Sequence, residues 1–90
     1  IFTPGHTPGH QSVLVNLPKT GHMLFTGDAC YTGDHWCDKC LPGLVASSSD
    51  AAESVKKLRR VAKEHDAKVV WGHDPISWAD WKKAPMFYYD

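Results

Sequence analysis

Ninety residues make one small domain at most, and 42% hydrophobic with 22% charged residues is an ordinary globular composition, neither disordered nor collagen-like. Ten Lys and Arg balance ten Asp and Glu, and that neutral sum argues against a nucleic-acid or membrane-surface binder. No apolar run approaches the ~18 residues of a membrane span, and three cysteines, of which only Cys37 and Cys40 lie close together, point to a reducing, cytoplasmic setting rather than a disulfide framework.

Residues 1–11 (IFTPGHTPGHQ) are broken by Pro4, Gly5, Pro8 and Gly9 and predict a loop. Residues 12–17 (SVLVNL) alternate as a strand, with Val13, Val15 and Leu17 on one face and Leu14 on the other. A four-residue turn over 18–21 then leads into a second strand at 22–26 (HMLFT), so 12–26 reads as a hairpin. From Gly27 to Gly43 there is no clean period, which predicts a long functional loop with at most one helical turn. Residues 50–65 are the clearest helix. Asp50 is the expected N-cap with Glu53 completing a capping box, and Val55, Leu58, Val61 and Ala62 form the expected buried stripe. Lys56, Lys57, Arg59, Arg60 and Lys63 read as its solvated face. A short buried strand over 67–71 (AKVVW) ends abruptly at Gly72-His73-Asp74-Pro75. In the tail 76–90, Trp78, Trp81 and Met86 would share one face of a terminal helix.

The chemistry-bearing residues fall at the ends of these strands. His6 and His10 lie before the first, Asp28 just past the second and His73 just past the third. Loops at strand ends let a rigid sheet aim side chains at one point. Imidazole and carboxylate together suit a zinc-like ion. Gly5, Gly27 and Gly72 flank these residues and would allow sharp turns and close backbone approach. Each signal is weak alone. The strings PGHTPGH, TGDACY and WGHD, in that order, are hard to obtain by chance.

Carrying those strings, the sequence resembles the C-terminal half of the metallo-β-lactamase superfamily, over nearly the whole chain. Within it, LFTGDACYT, VVWGHDP and the tail SWADWKKAPMFYYD are similar to the N-acyl homoserine lactonases, the quorum-quenching enzymes. The resemblance implies an α/β fold, one half of a four-layer αββα sandwich, with hairpin, helix, strand and short C-terminal helix. It implies two divalent metal ions, zinc foremost. His6 would bind one ion, Asp28 would bridge both and His73 would bind the second. Tyr31 would donate a hydrogen bond to the substrate carbonyl oxygen. The implied reaction is hydrolysis of the lactone ring of a small-molecule N-acyl homoserine lactone by a metal-bridging hydroxide, with Asp28 and Tyr31 in the catalytic roles. Tyr31, Trp36, Leu41, Leu44 and Val45 would either contact the acyl chain or simply pack.

His10 reads as a residue that fixes the loop by hydrogen bonds, and Asp74 as a helix cap or an orienter of His73. His35 could line a substrate pocket. His22 and His65 read as surface residues.

Two features depart from the family. Its His-x-His-x-Asp-His string is absent from these ninety residues and is expected upstream of Ile1. Residues 1–90 are therefore expected to be a partial domain, inactive alone, with one sheet face uncovered and a tendency to aggregate. Cys37-Asp38-Lys39-Cys40 is the second departure, and it is open to three readings: half a zinc knuckle, a redox pair, or two incidental thiols, the last favoured. The rival functional readings are a glyoxalase II-like thioesterase on the same fold, a non-catalytic truncated domain, and a zinc module built on Cys37 and Cys40.

Overall fold

A computed structural model describes residues 1–40 and 42–90. Strands β1 (Val13–Leu17), β2 (Gly21–Phe25) and β3 (Lys68–Val70) form one sheet in that order. β1 and β2 are antiparallel, with Leu14 opposite Leu24 and Leu17 opposite Gly21. β2 and β3 run parallel, with Leu24 opposite Val69. Between them in sequence lie a 3₁₀ turn (Gly27–Ala29), the short helix α1 (Gly33–Trp36) and the long helix α2 (Ser48–Glu64), and α3 (Pro75–Asp80) follows β3.

The hairpin loop is one residue shorter than expected. Gly21 opens β2 at φ +82° and pairs with Leu17, a left-handed conformation that glycine enters without a Cβ penalty. The first strand begins at Val13 rather than Ser12, because the Ser12 amide donates to the Ile1 carbonyl at 2.9 Å. The third strand stops at Val70 rather than Trp71. Beyond it the chain turns onto the loop after β2, where the Gly72 amide donates to Cys30 O and the His73 amide to Tyr31 O. It is also half-buried rather than buried.

Alternation divides the sheet. Leu14, Leu24 and Val69 share the face toward α2 and pack with Leu58 and Ala29 into the core. Leu24 and Leu58 are fully buried, and truncating such a leucine to alanine costs about 2–5 kcal/mol. The other face carries Val15, Leu17, Met23, Phe25 and Val70 and fronts a groove of 560 Å³ bordered by Trp78, Trp81 and Tyr89 from the C-terminal tail. Asp90 ties that tail to the hairpin, its carbonyl accepting from the Lys19 and Thr20 amides.

The cap of α2 is Ser47, not Asp50. Ser47 is extended (φ −146°) and its hydroxyl accepts from the Asp50 amide at 3.3 Å. Asp50 sits inside the first turn, where its charge favours the positive end of the helix dipole, and Glu53 pairs with Lys56 instead of completing a capping box. The buried face is Ala51, Ser54, Val55 and Leu58, continued by Ala62, so Ala51 takes the place in the core expected of Val61. The basic face is largely solvated, but Lys57 Nζ donates to Phe2 O at 2.8 Å and Arg59 to Trp36 O at 2.7 Å. In α3, Pro75 occupies the first turn and Asp74 caps it, an arrangement suited to a residue without an amide hydrogen. Met86 lies outside this helix and is 91% exposed, and Trp78 is 57% exposed, so the expected three-residue packing face does not form. No helix among the described residues is long and apolar enough to cross a membrane.

Candidate metal centre

Because β2 and β3 are parallel, their C-terminal ends open on the same edge of the sheet, the usual place for ligands in α/β folds. Asp28 sits in the 3₁₀ turn that follows β2, and His73 follows β3 by three residues. The two loops touch at glycines: a Cβ on Gly72 would lie 2.3 Å from the Gly27 carbonyl oxygen, so only glycine lets them close. The first loop is held by Gly5 (φ +139°), where a Cβ would lie 2.4 Å from the Ala51 Cα. That contact seats the His6 loop on the start of α2, and the Ala46 amide donates to Gly5 O at 2.8 Å. Below the loops is a buried hydroxyl network in which Thr3 meets Ser12 at 2.9 Å and Ser12 donates to the Thr26 carbonyl at 2.9 Å. Scattered Ser and Thr carry no periodic signal, so this network was not visible in the sequence.

The loops bring His6, Asp28, His73 and Tyr31 together. Asp28 Oδ1 lies 2.7 Å from His73 Nε2 and Oδ2 lies 3.4 Å from His6 Nε2. Tyr31 Oη is 3.2 Å from His6 Nδ1, and its ring stands edge-on to His73 with centroids 4.8 Å apart. The hydrogen bond from His73, helped by the nearby His6 and His10, holds the Asp28 carboxyl below its usual range against the opposing effect of burial. His10 stays off the carboxylate. Its Nε2 accepts from the Asp28 amide at 3.0 Å, which leaves Nδ1 as donor to Thr3, whose Oγ1 is at 2.9 Å. It braces the Asp28 turn.

Asp74 is a cap. It accepts from the Ile76 and Ser77 amides of α3 and from the Gly33 amide of α1 at 3.0 Å, and these amides, Gly33 first, pull its carboxyl below the usual range. His35 turns inward: it is 3% exposed, its Nδ1 accepts from the Tyr31 amide, and it borders a cavity of 70 Å³ with Val45 and Ala51. Trp36 packs against the core and Trp71, Leu44 is 78% exposed, and Leu41 lies outside the described residues. His22, on the N-terminal end of β2, stacks near His65 at the end of α2, with centroids 4.8 Å apart. Cys30 is buried, and burial pushes its thiol up to about 12. Cys37 and Cys40 are exposed free thiols.

Among the described residues, no group of three or more His, Cys, Asp or Glu surrounds a single point as around one ion. Two pairs share Asp28 instead, one imidazole on each carboxylate oxygen. Ligands on one tetrahedral ion with bonds of about 2.1 Å stand about 3.4 Å apart, which is the His6–Asp28 spacing. The His73–Asp28 pair is at hydrogen-bond distance, and an ion entering there would displace that bond. A carboxylate offering one oxygen to each of two imidazole partners fits a bridge between two borderline cations. Each pair offers two of the four ligands such an ion takes.

Comparison with known proteins adds three kinds of likeness. Residues 1–73 match the model of the metallo-beta-lactamase superfamily. The chain is 61% identical over 88 residues to the N-acyl homoserine lactonase AttM of Rhizobium radiobacter, covering 98% of this chain and 34% of that protein. It is 40% identical over 74 residues to an N-acyl homoserine lactonase of Bacillus cereus, covering 82% of this chain and 29% of that protein. Thus it spans about a third of the length of the curated relatives it matches. Its fold superposes on an N-acyl homoserine lactone hydrolase with N-hexanoyl-L-homoserine bound at the catalytic metal centre, with a TM-score of 0.89, 32% identity and coverage of 100% of this chain and 35% of that one.

Proposed function

Since the chain belongs to the metallo-β-lactamase superfamily, we propose that the protein containing it opens the lactone ring of N-acyl homoserine lactones by metal-dependent hydrolysis. The observation that carries this reading is Tyr31 beside the His6–Asp28–His73 cluster, in a chain 61% identical to a lactonase. Residues 1–90 form the C-terminal part of the domain, and the remaining metal ligands come from outside them.

His6 and Asp28 would hold one divalent ion, Asp28 and His73 a second, and the imidazole–carboxylate set favours zinc. When bound, the ions supply Lewis acidity that makes water nucleophilic at neutral pH and polarises the lactone carbonyl. With Nε2 of His6 as the atom that would hold the ion, its Nδ1 would carry the proton and donate to Tyr31 Oη, 3.2 Å away. The phenolic hydrogen would then be free to reach the carbonyl oxygen, where negative charge develops as the nucleophile adds to the carbonyl carbon. His10, accepting from the Asp28 amide, holds the turn that carries the carboxylate in place. The neutral chain and its three free thiols suit a cytoplasmic enzyme acting on a small molecule, with neither nucleic acid nor membrane as partner.

The test is substrate competition with the zinc-loaded full-length protein. N-hexanoyl homoserine lactone should exceed S-lactoylglutathione in kcat/KM by about a hundredfold or more, and a chelator should abolish turnover. The reverse ranking would assign a thioesterase, and turnover of neither would leave a non-catalytic domain.

A further inference from the structure

We propose that His35 is a positioning residue that fixes Tyr31, and with it the phenol at the metal centre, through the Tyr31 backbone. The proposal rests on the role given to Tyr31 above. His35 is 3% exposed and belongs to no ligand pair, yet its Nδ1 accepts the Tyr31 N–H at 3.2 Å. The Tyr31 carbonyl is held separately, accepting from the His73 amide at 2.9 Å. Both backbone groups of Tyr31 are therefore engaged, one by α1 and one by the loop after β3. From that fixed backbone the side chain reaches His6 Nδ1 with its hydroxyl and leans edge-on against His35, at 6.2 Å and 83°.

His35 is itself locked. Thr32 caps α1, its hydroxyl accepting the His35 amide at 3.2 Å, and the imidazole borders a cavity of 70 Å³ beside Val45 and Ala51. Accepting from an amide requires an unprotonated Nδ1, so the ring is the neutral tautomer with hydrogen on Nε2. Its burial favours that neutral form. An acceptor placed on the Tyr31 amide defines where the phenol stands, and a misplacement of about 1 Å at a reacting centre can cost about a hundredfold in rate.

The experiment compares variants of the zinc-loaded full-length protein on N-hexanoyl homoserine lactone. His35→Leu removes the acceptor and should lower kcat roughly 10- to 100-fold, with KM and zinc content unchanged. His35→Asn, whose Oδ1 can replace Nδ1, should recover kcat to within about threefold of the parent and restore slow exchange of the Tyr31 amide hydrogen. In a Tyr31→Phe background, His35→Leu should cost less than about threefold further, because the positioned hydroxyl is already gone. If His35→Leu does not fold, His35→Phe supplies the acceptor-free variant with ring volume kept. Full-speed turnover in the acceptor-free variant beside a slowed Tyr31→Phe would overturn the positioning alone. An Asn variant as slow as the Leu variant would overturn it too, as would an equal loss in the Tyr31→Phe background. An unaffected Tyr31→Phe would overturn the role of the phenol first and the positioning with it.

Discussion

Gly72→Ala tests the geometry that brings together the loops of the proposed metal site. The new Cβ would lie 2.3 Å from the Gly27 carbonyl oxygen and 2.9 Å from the Gly27 carbonyl carbon. These are backbone atoms that cannot rotate away. Ordinary C···O contact begins near 3.3 Å, so relief requires the Asp28 and His73 loops to part by about 1 Å. The His73–Asp28 contact, 2.7 Å in the parent, would then pass beyond hydrogen-bonding reach. Overpacking of this kind costs about 1–3 kcal/mol, or roughly 2–12 °C in melting temperature for a protein of 150–250 residues. Zinc affinity should fall about tenfold or more, as when the surroundings of a metal ligand are disturbed. Thermal melting and zinc titration of the full-length protein measure both, with Gly43→Ala as control, since a Cβ there has no atom within 4 Å. If Gly72→Ala melts within 1 °C of that control and binds zinc equally, the close approach does not hold the site.

Asp28→Ala should lower bound metal below two per chain by elemental analysis, and full dinuclear occupancy would refute the bridging role. Burial lowers the His35 pKa from its ordinary value, so the unfolded chain binds the proton more readily. Stability should therefore be whole above about pH 6.5 and decline as pH falls from there toward the folded value. The melting temperature of His35→Asn should drop less than that of the parent between pH 7.5 and 5, and parallel curves would remove His35 as a source of acid sensitivity. A thiol alkylating agent at neutral pH should label Cys37 and Cys40 but spare the fully buried Cys30 until the chain unfolds, and three labels on native protein, by mass, would contradict the packing.

The site was more legible in the sequence than the packing that holds it. Gly5, Gly27 and Gly72 beside His6, Asp28 and His73, with the period-two alternation of the hairpin strands, placed these residues at strand ends, and the resemblance to the metallo-β-lactamase strings supplied the ligand roles proposed for them. The start of α2 was harder. Ser47, Ser48, Ser49 and Asp50 are all good caps, and the choice came from tertiary contact: Gly5 O accepts from both the Ala46 and Ser47 amides, stopping the extended chain at Ser47. The same contact buries Ala51, which a hydropathy stripe passes over in favour of Val61. His35 lies in a helix of four residues, too short to show a period, so nothing local announced that it would turn inward beneath Tyr31. Met86 had the right spacing for a helix, but the helix ends at Asp80 before reaching it.

In the proposed site Asp28 joins His6 and His73 around two divalent ions. Anomalous scattering at the zinc edge from crystals of the zinc-loaded full-length protein tests it most directly. Two peaks are expected, one between Asp28 and His6 and one between Asp28 and His73, each about 2.0–2.2 Å from its ligand atoms. No anomalous density at Asp28, or a peak only at Cys37 and Cys40, would contradict it.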